Sequence, residues 1–261
     1  MRKIGINLYA RKGLEMEEYI KTIKELGFDV TFCVMRPIEK MLEAADLLAK
    51  VGMSYETVHA PFRSASDIWF EGEASDEVYA SLINSIDVCV QVGAPICVMH
   101  LTSGLTPPPP TDFGRGRYIQ LVDYAIGKGV NIAFENTRTV AHLAWAFEEF
   151  KDTTSVGLCL DTGHEAAFTP GKQFLPIFGD RLMCTHIHDN DLLADQHILP
   201  FDGKIDFERI AKQIKESGYK GNLMLEVMGD KPLYENISDI AYLEKAAAAA
   251  KRLRDMVDGE Q

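Results

Sequence analysis

The chain lacks any apolar run close to the ~18 residues that a helical membrane span requires, so no membrane segment is expected. It also lacks a basic surplus: 27 Lys and Arg face 39 Asp and Glu, a formal net charge of −12. Such a field works against phosphate backbones and anionic membranes, whose binding leans on excess Lys and Arg. Cysteine is sparse, and no two of the five stand in C-x-x-C spacing. Cys33, Cys89, Cys97, Cys159 and Cys184 each sit among apolar neighbours, which predicts buried, reduced thiols in a cytoplasmic protein. Missing too are a G-x-G-x-x-G after the first apolar run and a P-loop, the fingerprints of nucleotide-binding α/β folds. Residues 4–9 follow Arg2 and Lys3 as a leader segment would, but Arg11 and Lys12 cut the run short, and it reads as a strand.

What the sequence does contain is an alternation. Eight short apolar or β-branched runs, at 4–9, 30–35, 55–59, 96–101, 131–135, 156–161, 182–188 and 222–227, are each followed by a longer helix-like segment. Val78, Leu82, Ile86 and Val90 recur every four residues, as do Phe207, Ile210 and Ile214 at helical spacing; Ile237, Ile240 and Leu243 open the last helix. Gly27, Gly52, Gly93, Gly129 and Gly218 fall between a helix and the next run, where a left-handed C-cap is wanted. With 46% hydrophobic residues and no break in composition, this predicts one (β/α)8 TIM barrel domain over 1–261; a doubly wound open sheet is the rival. The longest loops follow runs three, four and seven, over the face where such barrels place their active sites.

Ionisable residues stand at the ends of consecutive runs: His59, His100, Glu135, Asp161 and His188, with Glu226 near the end of the eighth. In a barrel these ends share one mouth. Clustered carboxylates there would repel one another and resist ionisation, and a divalent cation relieves both problems. Imidazole and carboxylate without thiolate favour Zn, Mn, Fe or Co over Ca. His164, Asp195 and His197 extend the cluster from neighbouring loops. His186 lies two before His188, on the same strand face one layer deeper, as a supporting or core residue; His142 falls in a helix as a packing residue.

The ordered set His59-Ala-Pro, His100, Glu135-Asn136, Asp161-Thr-Gly-His164, His188-x-x-Asp191, Asp195-x-His197 and Glu226 resembles the xylose isomerase-like barrels. That family includes sugar epimerases, sugar-phosphate isomerases and endonuclease IV. In the isomerase branch, the resemblance implies one divalent metal (Mn, Zn, Co or Mg) on Glu135, Asp161, His188 and Glu226. Glu135 and Glu226 are then the catalytic acid–base pair, and His164 contacts substrate. In the endonuclease branch, nine ligands for three zincs match His59, His100, Glu135, Asp161, His164, His188, Asp195, His197 and Glu226. The isomerase or epimerase reading, with a small sugar or sugar phosphate as partner and no nucleic acid, fits the acidic charge better. A lyase expelling a β-hydroxyl from the same enolate is the third reading. Arg11, Arg63, Arg138 and Lys204 follow strands and could bind an anion; Phe62, Trp69 and Phe70 could shield the reaction from water. Of these, Arg63, Arg138 and Trp69 are taken as substrate-binding candidates. Dimers and tetramers are common in the family, so a homo-oligomer is also implied.

Overall fold

A computed structural model describes residues 1–11 and 13–259. Lys12, which helps halt the first apolar run, and the last two residues of the expected 1–261 domain lie outside the described residues. Eight parallel strands form one sheet: β1 (Ile4–Asn7), β2 (Val30–Val34), β3 (Ser54–His59), β4 (Ile96–His100), β5 (Asn131–Glu135), β6 (Val156–Asp161), β7 (Leu182–His186) and β8 (Leu223–Leu225). Their order runs from β7 down to β1 and then to β8. Closure between β7 and β8 rests on one parallel bridge, Ile187 with Leu225. There the Ile187 N–H donates to Met224 O at 2.8 Å and the Glu226 N–H to Ile187 O at 3.0 Å. The molecule is a single (β/α)8 TIM barrel.

The strands are buried on both faces, as parallel strands under a helical layer must be. Outer helices seat an apolar stripe on them: Phe207, Ile210, Ala211 and Ile214 are the buried face of Phe207–Glu216. The helix Glu73–Val92 departs from its expected face, because Leu82 and Ile86 are buried whereas Val90 is about half exposed. A strict spacing of four drifts about 40° per step around a 3.6-residue helix, so Val88 and Cys89 take over the inward side. Ile240 likewise faces outward while Leu243 is buried. The five expected C-cap glycines all have positive φ, and Gly93 and Gly129 close their helices in the left-handed conformation. All five cysteines are buried free thiols. No described helix is long and apolar enough to cross a membrane.

Several strands stop earlier than the sequence pattern suggests, and at β7 and β8 this leaves candidate site residues outside the ladder. β7 ends at His186, so His188 lies two residues beyond the ladder, and Glu226 lies one beyond β8. At this seam the sheet trades regular pairing for isolated bridges, which lets the chain turn inward over the mouth.

Candidate metal centre at the barrel mouth

The ends of β3 to β8 bring every expected ionisable residue into one connected cluster. Glu135 is its hub. His59 Nε2 and His100 Nε2 lie 2.9 and 2.7 Å from its Oε2, and His186 Nδ1 lies 3.0 Å from Oε1. His164 Nδ1 is 3.8 Å away from the same Oε1. Burial pushes the Glu135 carboxyl up, but the imidazoles of His186 and His100 outweigh it and hold it well below the ordinary range. On the far side, Glu226 Oε2 sits 3.2 Å from that same His186 nitrogen. Its carboxyl is also held low: burial opposes ionisation, and His186 and His197 overcome it.

Asp161 and His188 form the next layer, with His188 Nε2 at 3.1 and 3.2 Å from the two carboxylate oxygens. Asp161 also caps the helix Thr162–Phe168, accepting from the His164 N–H at 2.6 Å. Asn136 pins Asp161 through its main chain, donating to its carbonyl at 2.9 Å and accepting from its N–H at 2.7 Å. The Asp161-Thr-Gly-His164 motif thereby acquires a steric reason: a Cβ on Gly163 would stand 1.8 Å from His188 Cε1. Thr162 Oγ1 donates to the His188 carbonyl at 2.7 Å and fixes that residue from the other side.

The third layer comes from the loop after β7. Asp195 lies 3.2 Å from His197 Nε2 and 3.5 Å from His164 Nε2. Despite burial, the Asp195 carboxyl is held low by these two imidazoles. Burial disfavours a charged His164, yet Asp161, Asp195 and Glu135 push its pKa up to about 10; the His197 ring rises to about 9, mainly through Asp195. Imidazolium charge thus balances the buried carboxylates.

Donor atoms of Glu135, Asp161, His186 and Glu226 all lie within 4.8 Å of one another, a separation suited to one divalent cation. His59, Glu135 and His186, then His100, Glu135 and His164, then His188, His197 and Glu226 make three further groups of that kind. The histidine grouped with the three carboxylates is His186, while His188 is grouped with His197 and Glu226. Orientation separates the two. His59, His164 and His197 each turn Nδ1 to a backbone carbonyl (2.6, 3.0 and 3.1 Å), and His188 does so at 3.5 Å, leaving Nε2 for the cluster. That is the support a metal-bound imidazole normally receives. His186 is reversed: Nδ1 points between Glu135 and Glu226, and its buried Nε2 has no hydrogen-bond partner among the described residues. His186, fully buried two residues before His188, nevertheless reaches both glutamates from its layer. The donor chemistry and the buried carboxylates fit a divalent cation.

The substrate-binding candidates divide. Trp69 is sealed in the core, its indole donating to Leu101 O at 2.7 Å against Tyr118, His142 and Trp145, so it offers no surface to a ligand. The Trp69 expectation is corrected accordingly. It fails because the segment Ala65–Trp69 folds back as a 3-10 turn into the helical layer. Arg63 is exposed on the same loop. Arg138 stacks 3.7 Å above the Phe168 ring, which itself stacks on His164, so it borders the site through an aromatic step. Phe62 packs on His59 and His100 and walls the mouth, whereas Phe70 is exposed and away from these rings. Arg11 is consumed by Asp239 and the carbonyls of Gly229 and Ile237. Asp189 escaped the sequence reading. Its buried carboxylate accepts from the N–H groups of Asn190, Phe201, Gly203 and Ile205, and so organises the loop that carries Asp195 and His197. A lone acid two residues before Asp191 gives no signal of that role.

Comparison with known proteins matches this geometry to one family. The profile of the xylose isomerase-like TIM barrel matches residues 20–256. Among solved structures, an L-ribulose 3-epimerase superposes with TM-score 0.74 at 18% identity, covering 99% of this chain and 97% of that one. A D-allulose 3-epimerase from Methylomonas sp., bound to D-allulose, gives 0.75 at 18% identity over 98% and 97%. At these identities the likeness is one of fold. The uncharacterized protein y4fM of Sinorhizobium fredii is 43% identical over 103 residues, 39% of this chain. MJ1311 of Methanocaldococcus jannaschii, also uncharacterized, is 22% identical over 65% of this chain. The matched segments span 32% and 63% of those two relatives.

Proposed function

The chain belongs to the xylose isomerase-like TIM barrel family, and we propose that it is a divalent-metal-dependent isomerase or epimerase of a small sugar or related hydroxy-carbonyl compound. One observation carries the reading: Glu135 and Glu226, from opposite sides of the mouth, converge on a single His186 nitrogen at 3.0 and 3.2 Å, beside Asp161. In this reading Glu135, Asp161, His188 and Glu226 hold the metal, His188 being preferred for the orientation of its ring. A divalent cation there supplies Lewis acidity, stabilising negative charge as it develops on the substrate's carbonyl oxygen.

The chain's own groups do the proton work. Glu135 and Glu226 are held ionised, so either carboxylate can take a proton from the carbon beside the carbonyl while the other returns one to the opposite face. His186 Nδ1 touches both carboxylates and fixes their direction. His164, 7% exposed with Nδ1 turned to the Asn136 carbonyl, leaves Nε2 to face a substrate oxygen. Phe62 and Phe168 flank the imidazoles and exclude water. The epimerases among the fold neighbours support this reaction class.

The test is exchange of the substrate's carbon-bound proton with deuterated solvent. Glu135→Gln and Glu226→Gln should each lower exchange by at least about 10³-fold; exchange at the wild-type rate in either variant defeats the assignment. A product of unchanged mass excludes the lyase.

A second reading is supported by the assembly of all nine candidate donors: a three-metal phosphodiesterase acting on abasic DNA. The −12 charge opposes it. Elemental analysis of chelator-free protein separates them, at about one metal per chain for the isomerase and about three for the nuclease.

A further inference from the structure

A cleft of about 360 Å3 opens beside Glu226, between the ends of β1, β2 and β8. Glu226 itself lines the cleft, and Phe32, part of its wall, stacks on His186, so the cleft borders one member of the acid–base pair. Its rim carries Arg36 from the end of β2 and Lys231 from the loop after β8. Neither is in an ion pair among the described residues. Asp230, the other charge at the rim, has an interaction partner of its own.

Arg36 is held rather than loose. Its guanidinium lies 4.8 Å from the centre of the Tyr9 ring, a cation–π distance. Tyr9 itself adopts φ +67°, a left-handed conformation that costs a tyrosine about 1 kcal/mol or more and is kept only where the surroundings enforce it. The stacked guanidinium keeps its N–H fork available, the geometry that receives a carboxylate or phosphate. Electrostatics gives these cations a purpose. The chain is acidic overall, at a net charge of −12, so an anion approaching the cleft gains from local positive charge that offsets this field. A neutral polyol would need no such compensation.

We propose that Arg36 and Lys231 form a subsite for a terminal anionic group, so that the substrate is an acidic hydroxy-carbonyl compound, phosphorylated or carboxylated at the end remote from the reacting carbon. The inference rests on the reading that Glu226 works on that carbon. It narrows the substrate from sugars in general to those bearing a charge.

The experiment compares a neutral ketose, the same ketose phosphorylated at its last carbon, and the same ketose oxidised there to a carboxylate. All three are offered to the metal-loaded chain and to the double variant Arg36→Met/Lys231→Met. In the unmodified chain one anionic form should exceed the neutral sugar by about tenfold or more in kcat/KM. In the double variant that ratio should fall towards one, with the change mainly in KM. The better anion identifies the group. A neutral preference in the unmodified chain, or an anion preference that survives both substitutions, overturns the subsite. If none of the three turns over, calorimetric Kd values decide. Charge-selective binding lost in the double variant upholds the subsite while the isomerase reading falls, and binding blind to charge sinks the subsite itself.

Discussion

Glu56 places a carboxyl where ionisation is costly. It lies in the first half of β3, buried, with Asn222 Nδ2 donating to one oxygen at 3.0 Å and the other oxygen without a hydrogen-bond partner among the described residues. Burial pushes its pKa up to about 7, against relief from Asn222. The folded value lies above the unfolded one, so between about pH 4.5 and 7 the unfolded chain releases a proton that the folded chain keeps, and stability falls across that window. Glu56→Gln removes the effect. The stability of the variant relative to the parent should rise by about 1–3 kcal/mol from pH 5 to pH 8 in urea unfolding; a difference flat with pH refutes the assignment. At this scale the sequence was legible where residue type alone sets the chemistry. His59, His100, Glu135, Asp161, His164, Asp195, His197 and Glu226 all entered one cluster. It was not legible for Trp69, whose place depends on where a loop folds back.

Single elements hold the cluster through their ends. The loop after β7 has little regular structure, and three of its non-glycine residues, Leu192, His197 and Phe201, have positive φ. Asp189 supplies the order that a strand or helix would otherwise give, with four main-chain N–H groups on one buried carboxylate. Gly203 fits only because a Cβ there would meet Asp189 Oδ1 at 2.4 Å. Asp189→Ala should therefore cost about 3–5 kcal/mol by denaturant unfolding and open residues 190–205 to limited proteolysis, while Asp189→Asn should recover part of both. Unchanged proteolysis in the Ala variant would mean that the loop is ordered by other contacts. The helix face of Phe207–Glu216 follows the sequence reading, whereas the strict spacing of four over Val78–Val90 accumulates rotation and turns Val90 outward.

For the whole molecule, the metal is expected to be a stability term as well as a catalytic one. Ion binding to the folded state alone adds about 2.7 kcal/mol at a free concentration of 100 times Kd, or roughly 5–10 °C in Tm for a domain of this size. Treatment with EDTA followed by Mn2+ or Zn2+ should thus lower and then restore Tm in calorimetry; a Tm indifferent to both removes the cation from the site. The barrel's own closure is thin at the β7–β8 seam, and Arg2 braces the N-terminal side of it. Its guanidinium donates to the carbonyls of Tyr219 and Gly221 and pairs with Asp258, joining both ends of the chain.

Local chemistry decided the strand count, the alternation that forces a parallel sheet under helices, and the residue types gathered at the mouth, because apolar period, turn glycines and ionisable strand ends are properties of neighbouring residues. Tertiary structure alone decided that His186 bridges two glutamates, that Asp189 orders a loop, that Trp69 leaves the mouth for the core, and that Arg36 and Lys231 share one cleft. Those facts join residues far apart in the chain. Their distances follow from how the sheet closes, and no local pattern encodes them.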